Sequence, residues 1–160
     1  MLPVRYHFDL HPHFRYPMLT ISRETDYAAR VLLHLALQPA GQRATAQQIA
    51  GQCLIPRAMV RRVVTRLGVA GLVITARGSE GGIVLARPAG QISLLDVVEA
   101  MEGALALNAC TVNPGICPLI PTCTVHDVWV VARQELRAKL ARTTFDGLAQ
   151  KGDFTSQALD

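Results

Sequence analysis

Residues 56–86 contain the pattern that most restricts how this chain can fold. After Pro56, apolar residues recur at positions i, i+3, i+4 and i+7, which predicts an amphipathic helix that ends near Gly71. The apolar positions are Val60, Val63, Val64 and Leu67. Two β-branched runs follow at 72–75 and 83–86, and the glycine-rich segment between them predicts a hairpin. The chain therefore places a helix directly before a two-stranded hairpin.

Two further helices are predicted ahead of this unit. The stretch Met18–Gln38 has helical apolar spacing and ends at a Pro-Ala-Gly sequence. Thr45 and Gln48 form a capping box that opens a short helix to about Cys53, and a tight turn follows at 54–55. Helix, short helix, turn, helix and hairpin are together the order of a winged helix-turn-helix. We therefore expect a mainly α-helical fold with a small β-hairpin wing.

The second half of the chain is organised differently. A capping box at 93–96 starts a helix to about Gly103, whereas residues 108–123 hold three cysteines and three prolines and fit no helix or strand. A third capping box is predicted at 124–127, ahead of a long amphipathic helix to about Arg142. The predicted divisions are a flexible N-terminal extension at 1–17, a winged helix-turn-helix domain at 18–90, a cysteine loop with the long helix at 91–150, and a tail at 151–160.

Charge is distributed unevenly between these halves. Residues 18–90 carry nine arginines and three acidic residues, whereas residues 91–160 carry five basic and eight acidic residues. A basic region beside an acidic one indicates docking on a polyanion, and nucleic acid is the first partner to expect. Two i, i+4 arginine pairs on the third helix repel each other unless they bind phosphates or guanine edges, although a merely solvated charged face is the alternative. The candidate DNA contacts are Arg57, Arg61, Arg62 and Arg66 on this helix, with Arg77 and Gly78 at the wing tip.

Three cysteines mark a candidate metal site. Cys110, Cys117 and Cys123 are separated by six and five residues, and His126 follows three residues after the last of them. Structural zinc sites usually contain close cysteine pairs, and this loop has none. The wide spacing favours an iron–sulfur cluster, with a zinc clip or reversible thiol chemistry as alternatives. Cys53 lies outside the loop and is expected to be a small buried apolar residue.

Several short motifs together carry a resemblance to a known family. They are Met18-Leu19-Thr20, Thr25-Asp26-Tyr27-Ala28, Gly71-Leu72-Val73, Arg77-Gly78 with Gly81-Gly82, Ser93-Leu94-Leu95-Asp96-Val97 and Cys123-Thr124-Val125-His126. Over about residues 18–150 the chain resembles the iron–sulfur winged-helix transcription regulators that include the IscR and NsrR repressors. The resemblance implies a homodimer paired through the long helix, a cluster held by Cys110, Cys117 and Cys123, and a wing arginine at Arg77. It also implies that the state of the cluster alters binding to a palindromic operator.

The resemblance leaves two candidates for the fourth cluster ligand. IscR-like members use a histidine three residues after the last cysteine for a 2Fe-2S site, and His126 occupies that position. NsrR-like members use an aspartate on the first helix of the partner subunit for a 4Fe-4S site, and Asp26 occupies that position. The chain departs from the family pattern in three ways: its first cysteine gap is longer, and Glu80 and Arg61 are residue types that the family does not usually have at these positions. Its DNA base preference is therefore expected to differ from that of known members.

These features predict a dimeric, sequence-specific DNA-binding repressor or activator in the cytoplasm, whose cluster responds to iron supply, oxidants or nitric oxide. A thiol-switch or zinc-containing regulator is one alternative, and a small iron–sulfur electron carrier is another. An enzyme is not expected, because the chain has no glycine-rich phosphate loop, nucleophile elbow or paired acid and base. No membrane association is expected, since no stretch approaches the roughly 18 uninterrupted apolar residues of a spanning helix.

Overall fold

The computed structural model describes residues 20–78 and 81–152, which form six α-helices and one antiparallel hairpin. The helices are α1 (Arg23–Leu37), α2 (Ala46–Gln52), α3 (Arg57–Val69), α4 (Leu94–Glu102), α5 (Thr124–Arg142) and α6 (Phe145–Ala149), and the strands are β1 (Val73–Ala76) and β2 (Gly82–Leu85). The predicted extension at 1–17 and most of the predicted tail at 151–160 lie outside the described residues. The expected mainly helical fold with a hairpin wing is confirmed.

Helix α1 begins later than predicted. The helical pattern was expected to start at Met18, but residues 20–22 are not helical and α1 begins at Arg23. The side chain of Ser22 accepts a hydrogen bond from the backbone N–H of Thr25 at 3.2 Å, so Ser22 is the N-cap. The apolar pattern did not reveal this cap, because Ile21 extends the pattern beyond the start of the helix.

The unit of α2, α3 and the hairpin follows the sequence closely. The predicted capping box is present: the side chain of Thr45 accepts from the backbone N–H of Gln48, and the side chain of Gln48 accepts from the backbone N–H of Thr45 at 2.8 Å. After α3, Gly71 adopts a φ of 68°, a left-handed conformation that glycine adopts readily, and the chain turns into β1. The strands pair from Val73 opposite Leu85 to Ala76 opposite Gly82.

One hydrophobic core joins the two halves of the chain. Helix α6, which the sequence pattern did not reveal, inserts the fully buried Phe145 into the core that α1, α2, α3 and the hairpin share. The backbone N–H of Phe145 donates to Ile92 at 3.0 Å, and that of Leu94 donates to Thr143 at 2.8 Å. These bonds hold the end of α5 beside the start of α4, which gives α6 its place against α1.

Helix α5 is packed far less than the other long helices. None of its 19 residues is buried, and Val125, Val128, Trp129 and Val131 are among the exposed large apolar side chains. The predicted capping box at 124–127 is wrong: α5 begins at Thr124 itself, with Cys123 as an N-cap that makes no side-chain hydrogen bond. The reason is that extended Cys123 follows a 3-10 turn and its carbonyl already accepts from the N–H of His126 at 3.1 Å. No helix in the described part of the chain is long and apolar enough to span a bilayer.

Candidate DNA interface and metal site

Helix α3 carries two of its four arginines on a face turned away from the buried valine stripe. Val60, Val63 and Leu67 are buried, which leaves Arg57 and Arg61 exposed. Neither of these two guanidinium groups forms an ion pair with any residue that the structure describes. They are therefore available for an anionic partner, as the sequence predicted for a DNA-reading helix.

The other two arginines of α3 are engaged within the chain. Arg62 Nε lies 3.0 Å from a carboxylate oxygen of Glu24, and Arg66 Nη1 lies 3.1 Å from the other. Arg66 Nη2 also donates to the backbone carbonyls of Met101 and, at 3.4 Å, Ala100. Arg62 keeps 66% of its side chain exposed and Arg66 keeps 39%. A role of these residues in DNA contact stays a prediction.

A second carboxylate, that of Glu102 at the end of α4, joins the same region. Glu102 Oε1 accepts from the backbone N–H of Ser22 at 3.0 Å and from the hydroxyl of Thr25. Partial burial raises the pKa of Glu102, but hydrogen bonds from Ser22 and Thr25 and the charge of Arg66 outweigh it, so the pKa lies below its ordinary value. The carboxylate is therefore charged near neutral pH. The N-terminus of α1 is thus bound to the C-terminus of α4.

The wing carries the two residues that the sequence predicted at its tip. Arg77 directly follows β1 and is exposed, and Gly78 adopts a φ of 103°, which a side chain would strain. The backbone N–H of Gly81 donates to Gly78 at 3.0 Å and closes the turn. Glu80, predicted as a departure from the family pattern, lies outside the described residues. The hairpin therefore holds Arg77 away from the core beside an obligatory turn glycine.

The cysteine loop is more regular than its composition suggests. Three short 3-10 turns cross it, at Ala109–Thr111, Pro114–Ile116 and Ile120–Thr122. Cys110 lies within the first turn, and Cys117 and Cys123 directly follow the other two. All three are half-buried free thiols, whereas Cys53 is buried, as expected. Burial raises the pKa of the Cys53 thiol to about 11, although nearby Arg30 opposes the shift.

Arg133 of α5 ties the first turn of the loop to that helix. Its Nε donates to the carbonyl of Leu105 at 2.6 Å, and its Nη1 donates to the carbonyl of Thr111 at 3.4 Å. The segment containing Cys110 is therefore held at both ends by one guanidinium. No sequence pattern pointed to this contact, because Arg133 lies 28 and 22 residues from its two partners.

The two candidates for the fourth ligand stand in different surroundings. His126 carries a buried Nδ1 that has no hydrogen-bond partner among the described residues. Asp26 forms an ion pair with Arg30 at 2.7 Å on α1 and is half exposed. A buried ring nitrogen without a hydrogen-bond partner destabilises the folded state unless a ligand binds it. By this criterion His126 is better suited than Asp26 to ligate a metal.

The predicted ligands do not converge on a single ion. Within residues 20–78 and 81–152, no three His, Cys, Asp or Glu side chains are grouped closely enough to bind one metal ion. A two-iron cluster distributes four ligands over two metals, so it does not need three around one ion. Three free thiols and the unbonded nitrogen of His126 have the donor chemistry that such a group uses. The residues fit an iron–sulfur group by chemistry, and the ligand set stays a prediction.

Comparison with known proteins gives consistent results. Residues 21–151 match the Rrf2 family, described as an iron-dependent transcriptional regulator. A Mycobacterium tuberculosis protein named as an HTH-type transcriptional regulator is 33% identical over 132 residues, which cover 82% of this chain and 81% of that protein. CymR, the global cysteine regulator of B. subtilis, superposes with a TM-score of 0.70 at 26% identity, covering 85% of this chain and 100% of that one. IscR of T. potens superposes with a TM-score of 0.67 at 20% identity over 88% of this chain and 93% of that one, a likeness in fold alone.

Proposed function

The chain belongs to the Rrf2 family of transcriptional regulators, and we propose that it is a dimeric repressor or activator whose DNA binding depends on an iron–sulfur group. Its named relatives are regulators and not enzymes. The signal is iron supply, an oxidant or nitric oxide, and the site of action is the cytoplasm. The family match also favours a regulator over the small electron carrier that the cysteine pattern alone left open.

One observation carries the proposal of the cofactor. The buried Nδ1 of His126 has no hydrogen-bond partner among the residues that the structure describes, and it lies one helical turn after Cys123 in a segment with two further free thiols. Cys110, Cys117, Cys123 and His126 would hold the group, with Asp26 of a partner subunit as the alternative fourth ligand. When bound, an iron–sulfur group supplies a centre that forms only with sufficient iron and that oxidants and nitric oxide attack.

The DNA-binding surface in this proposal combines the recognition helix and the wing. Arg57 and Arg61, with Arg62 beside them, bind phosphates and base edges of the major groove, while Arg77 and Gly78 approach the backbone or the minor groove. The exposed apolar side chains of α5 pair two copies of the chain, which presents two recognition helices to a palindromic operator. Binding is expected to weaken steeply with salt, because each neutralised phosphate releases counterions.

The cofactor is tested on protein purified without oxygen. Iron, acid-labile sulfide and visible absorption are measured for the parent chain and for Cys110→Ala, Cys117→Ala and Cys123→Ala, with Cys53→Ala as the matched control. Each loop variant is expected to lose the chromophore, and Cys53→Ala is expected to keep it. His126→Ala and Asp26→Ala then assign the fourth ligand. Colourless, iron-free parent protein would end the proposal.

A thiol switch is the second candidate, and specific observations favour it. The three loop thiols are free, and no three ligands in the described chain surround one ion. CymR of Staphylococcus aureus, 27% identical and superposed with a TM-score of 0.63, has been solved in an oxidized form. Mass spectrometry of metal-free protein after mild oxidation tests this candidate. A disulfide between two loop cysteines, accompanied by a change in DNA affinity, would favour the thiol switch over the cluster.

A further inference from the structure

Arg66 stands apart from the other arginines of α3, because its guanidinium donates to both α1 and α4. We propose that Arg66 is a positioning residue, which couples the orientation of α3 to the end of α4 from which the cysteine loop departs. The proposal rests on the proposed function in one respect, namely that α3 reads DNA. It assigns Arg66 a role different from the DNA contact that its sequence position predicted.

The C-terminus of α4 lacks a cation of its own. The last carbonyls of a helix have no partner within the helix and carry the negative end of its dipole. The last turn of α4 contains no basic residue, and Arg66 of α3 supplies the missing charge by donating to the carbonyls of Met101 and Ala100. These two contacts bridge 34 and 35 residues of sequence. Arg66 is therefore the C-terminal cap of another helix.

Glu24 fixes the direction in which Arg66 points. Its side chain is only 20% exposed, and its carboxylate binds Nη1 of Arg66 while Nη2 is directed to α4. The two terminal nitrogens of one planar group are thus bound to α1 and to α4 at the same time. A guanidinium held on two sides cannot turn toward DNA without breaking both sets of contacts.

The end of α4 leads directly into the cysteine loop. Gly103 ends the helix with a φ of 87°, and Cys110 follows seven residues later. Between them, Arg133 holds the carbonyl of Leu105 against α5. A rearrangement of the loop around Cys110 therefore moves the segment that is attached to Met101. Because Arg66 binds Met101, the movement is transmitted to α3.

Glu102 makes this connection a joint of three helices. Glu102 directly follows Met101, whose carbonyl binds Arg66. Its carboxylate binds Ser22 and Thr25 at the start of α1. Helices α1, α3 and α4 therefore meet at Glu24, Arg66 and Glu102. Rotation of α3 against α4 requires this joint to open, which makes the joint a place where the state of the loop can bias DNA binding.

The first experiment separates positioning from DNA contact by salt dependence. The probe is a duplex selected from random-sequence DNA by the parent protein, and affinity is measured over a range of salt concentrations. Arg66→Gln is expected to weaken binding with an unchanged dependence of log K on log salt, whereas removing an arginine that binds a phosphate lowers the magnitude of that slope by about one. Arg61→Gln is the comparison that is expected to lower it. A slope lowered by about one in Arg66→Gln overturns the proposal.

The second experiment follows the joint without DNA or metal. Hydrogen exchange is measured on reduced, metal-free protein, with circular dichroism as a check on folding. Arg66→Gln is expected to speed exchange at residues 103–111, whereas Arg62→Gln, which loses a bond to the same Glu24 but none to α4, is expected to leave it unchanged. Arg66→Lys is expected to restore part of the protection, because it keeps the charge at the helix end.

Unchanged exchange in Arg66→Gln overturns the coupling. If that variant does not fold, Glu24→Gln frees Arg66 from the side of α1 and is expected to speed exchange in the same segment, and its failure to do so is equally decisive. Neither exchange measurement needs an iron–sulfur group. If the parent protein contains no iron but Arg66→Gln speeds exchange, only the proposed cofactor is refuted. If the parent protein contains iron but Arg66→Gln leaves exchange unchanged, only the coupling is refuted.

Discussion

The winged-helix region (α1, α2, α3 and the hairpin) and the cysteine segment with α5 are packed to very different degrees. In α1, α2, α3 and the hairpin, each element contributes side chains to a common core. From Gly103 to Arg142, only Ala106 and Thr111 are buried. Burial of apolar surface is the main stabilising term in folding, so the first region is well packed once Phe145 of α6 and the buried residues of α4 enter its core. The second region carries three free thiols, an imidazole nitrogen with no hydrogen-bond partner among the described residues, and several exposed apolar side chains on α5.

The difference in packing between the two regions is expected to have its largest effect on the free energy of unfolding. Phe145→Ala is expected to lower the free energy of unfolding by about 3–5 kcal/mol, because it leaves a cavity in the shared core. Leu119→Ala in the cysteine loop is the matched control, and since this side chain is 52% exposed its effect is expected within about 0.5 kcal/mol. Urea denaturation of metal-free protein measures both. Equal losses would show that the loop is as tightly packed as the core.

Thiol chemistry tests the same contrast through reactivity. In folded, metal-free protein at pH 8, Cys53 is expected to react with a thiol reagent at least about a hundredfold more slowly than the three loop cysteines. The reason is that Cys53 is 2% exposed and that burial raises its pKa to about 11, which removes most of the thiolate. Mass spectrometry of the labelled peptides gives the rates. Similar rates for all four would show that the loop thiols are protected as well.

The exposed face of α5 is tested by changing its charge. A shallow groove on α5 contains Val128 and Val131 between Asp127 and Glu135. If two copies pair through α5 as proposed, Val128→Glu is expected to raise the dimer dissociation constant at least about tenfold, or about 1.4 kcal/mol, because it places an unpaired carboxylate in the proposed interface. Val69→Glu is the control, since Val69 is 88% exposed at the end of α3. Sedimentation equilibrium that shows the same association for both variants would contradict pairing through α5.

DNA affinity should show the smallest effect for each single change. Arg57→Ala and Arg61→Ala are each expected to weaken binding to the selected duplex roughly three- to tenfold and to lower the salt slope by about one. Arg142→Ala, exposed at the far end of α5, removes the same charge and is expected to leave both quantities unchanged. Fluorescence anisotropy at several salt concentrations measures them. An equal effect of all three changes would indicate a general charge effect and no reading helix.

Local patterns predicted most of the elements, because the interactions that form them lie within a few residues. The capping boxes at Thr45 and Ser93, the valine stripe of α3 and the paired β-branched runs are confirmed in the structure. Where the expectations were wrong, neighbouring structure decided the outcome. The Ser22 cap makes α1 begin later than its apolar pattern predicted. The turn before Cys123 makes α5 begin at Thr124, the residue that was predicted to be its cap.

The candidate site was predictable in its residue types and unpredictable in its contacts. Composition and spacing singled out the arginines of α3 and the three cysteines, which are local features. Nothing in the sequence distinguished Arg66 from Arg61, although one caps α4 and the other is free of ion pairs with the described residues. Glu24, Glu102 and Arg133 escaped notice for the same reason, since their partners lie far away along the chain.

By itself the sequence determined the order of helices, turn and hairpin, the basic character of α3, and the presence of three thiols in a proline-rich segment. Each of these depends on side chains within one or two turns of one another. Only the tertiary structure decided which arginines remain open to a ligand, that Phe145 closes the core, and that α5 presents an uncovered apolar face. Those outcomes depend on long-range packing, in which a buried contact is formed by residues that no periodicity links.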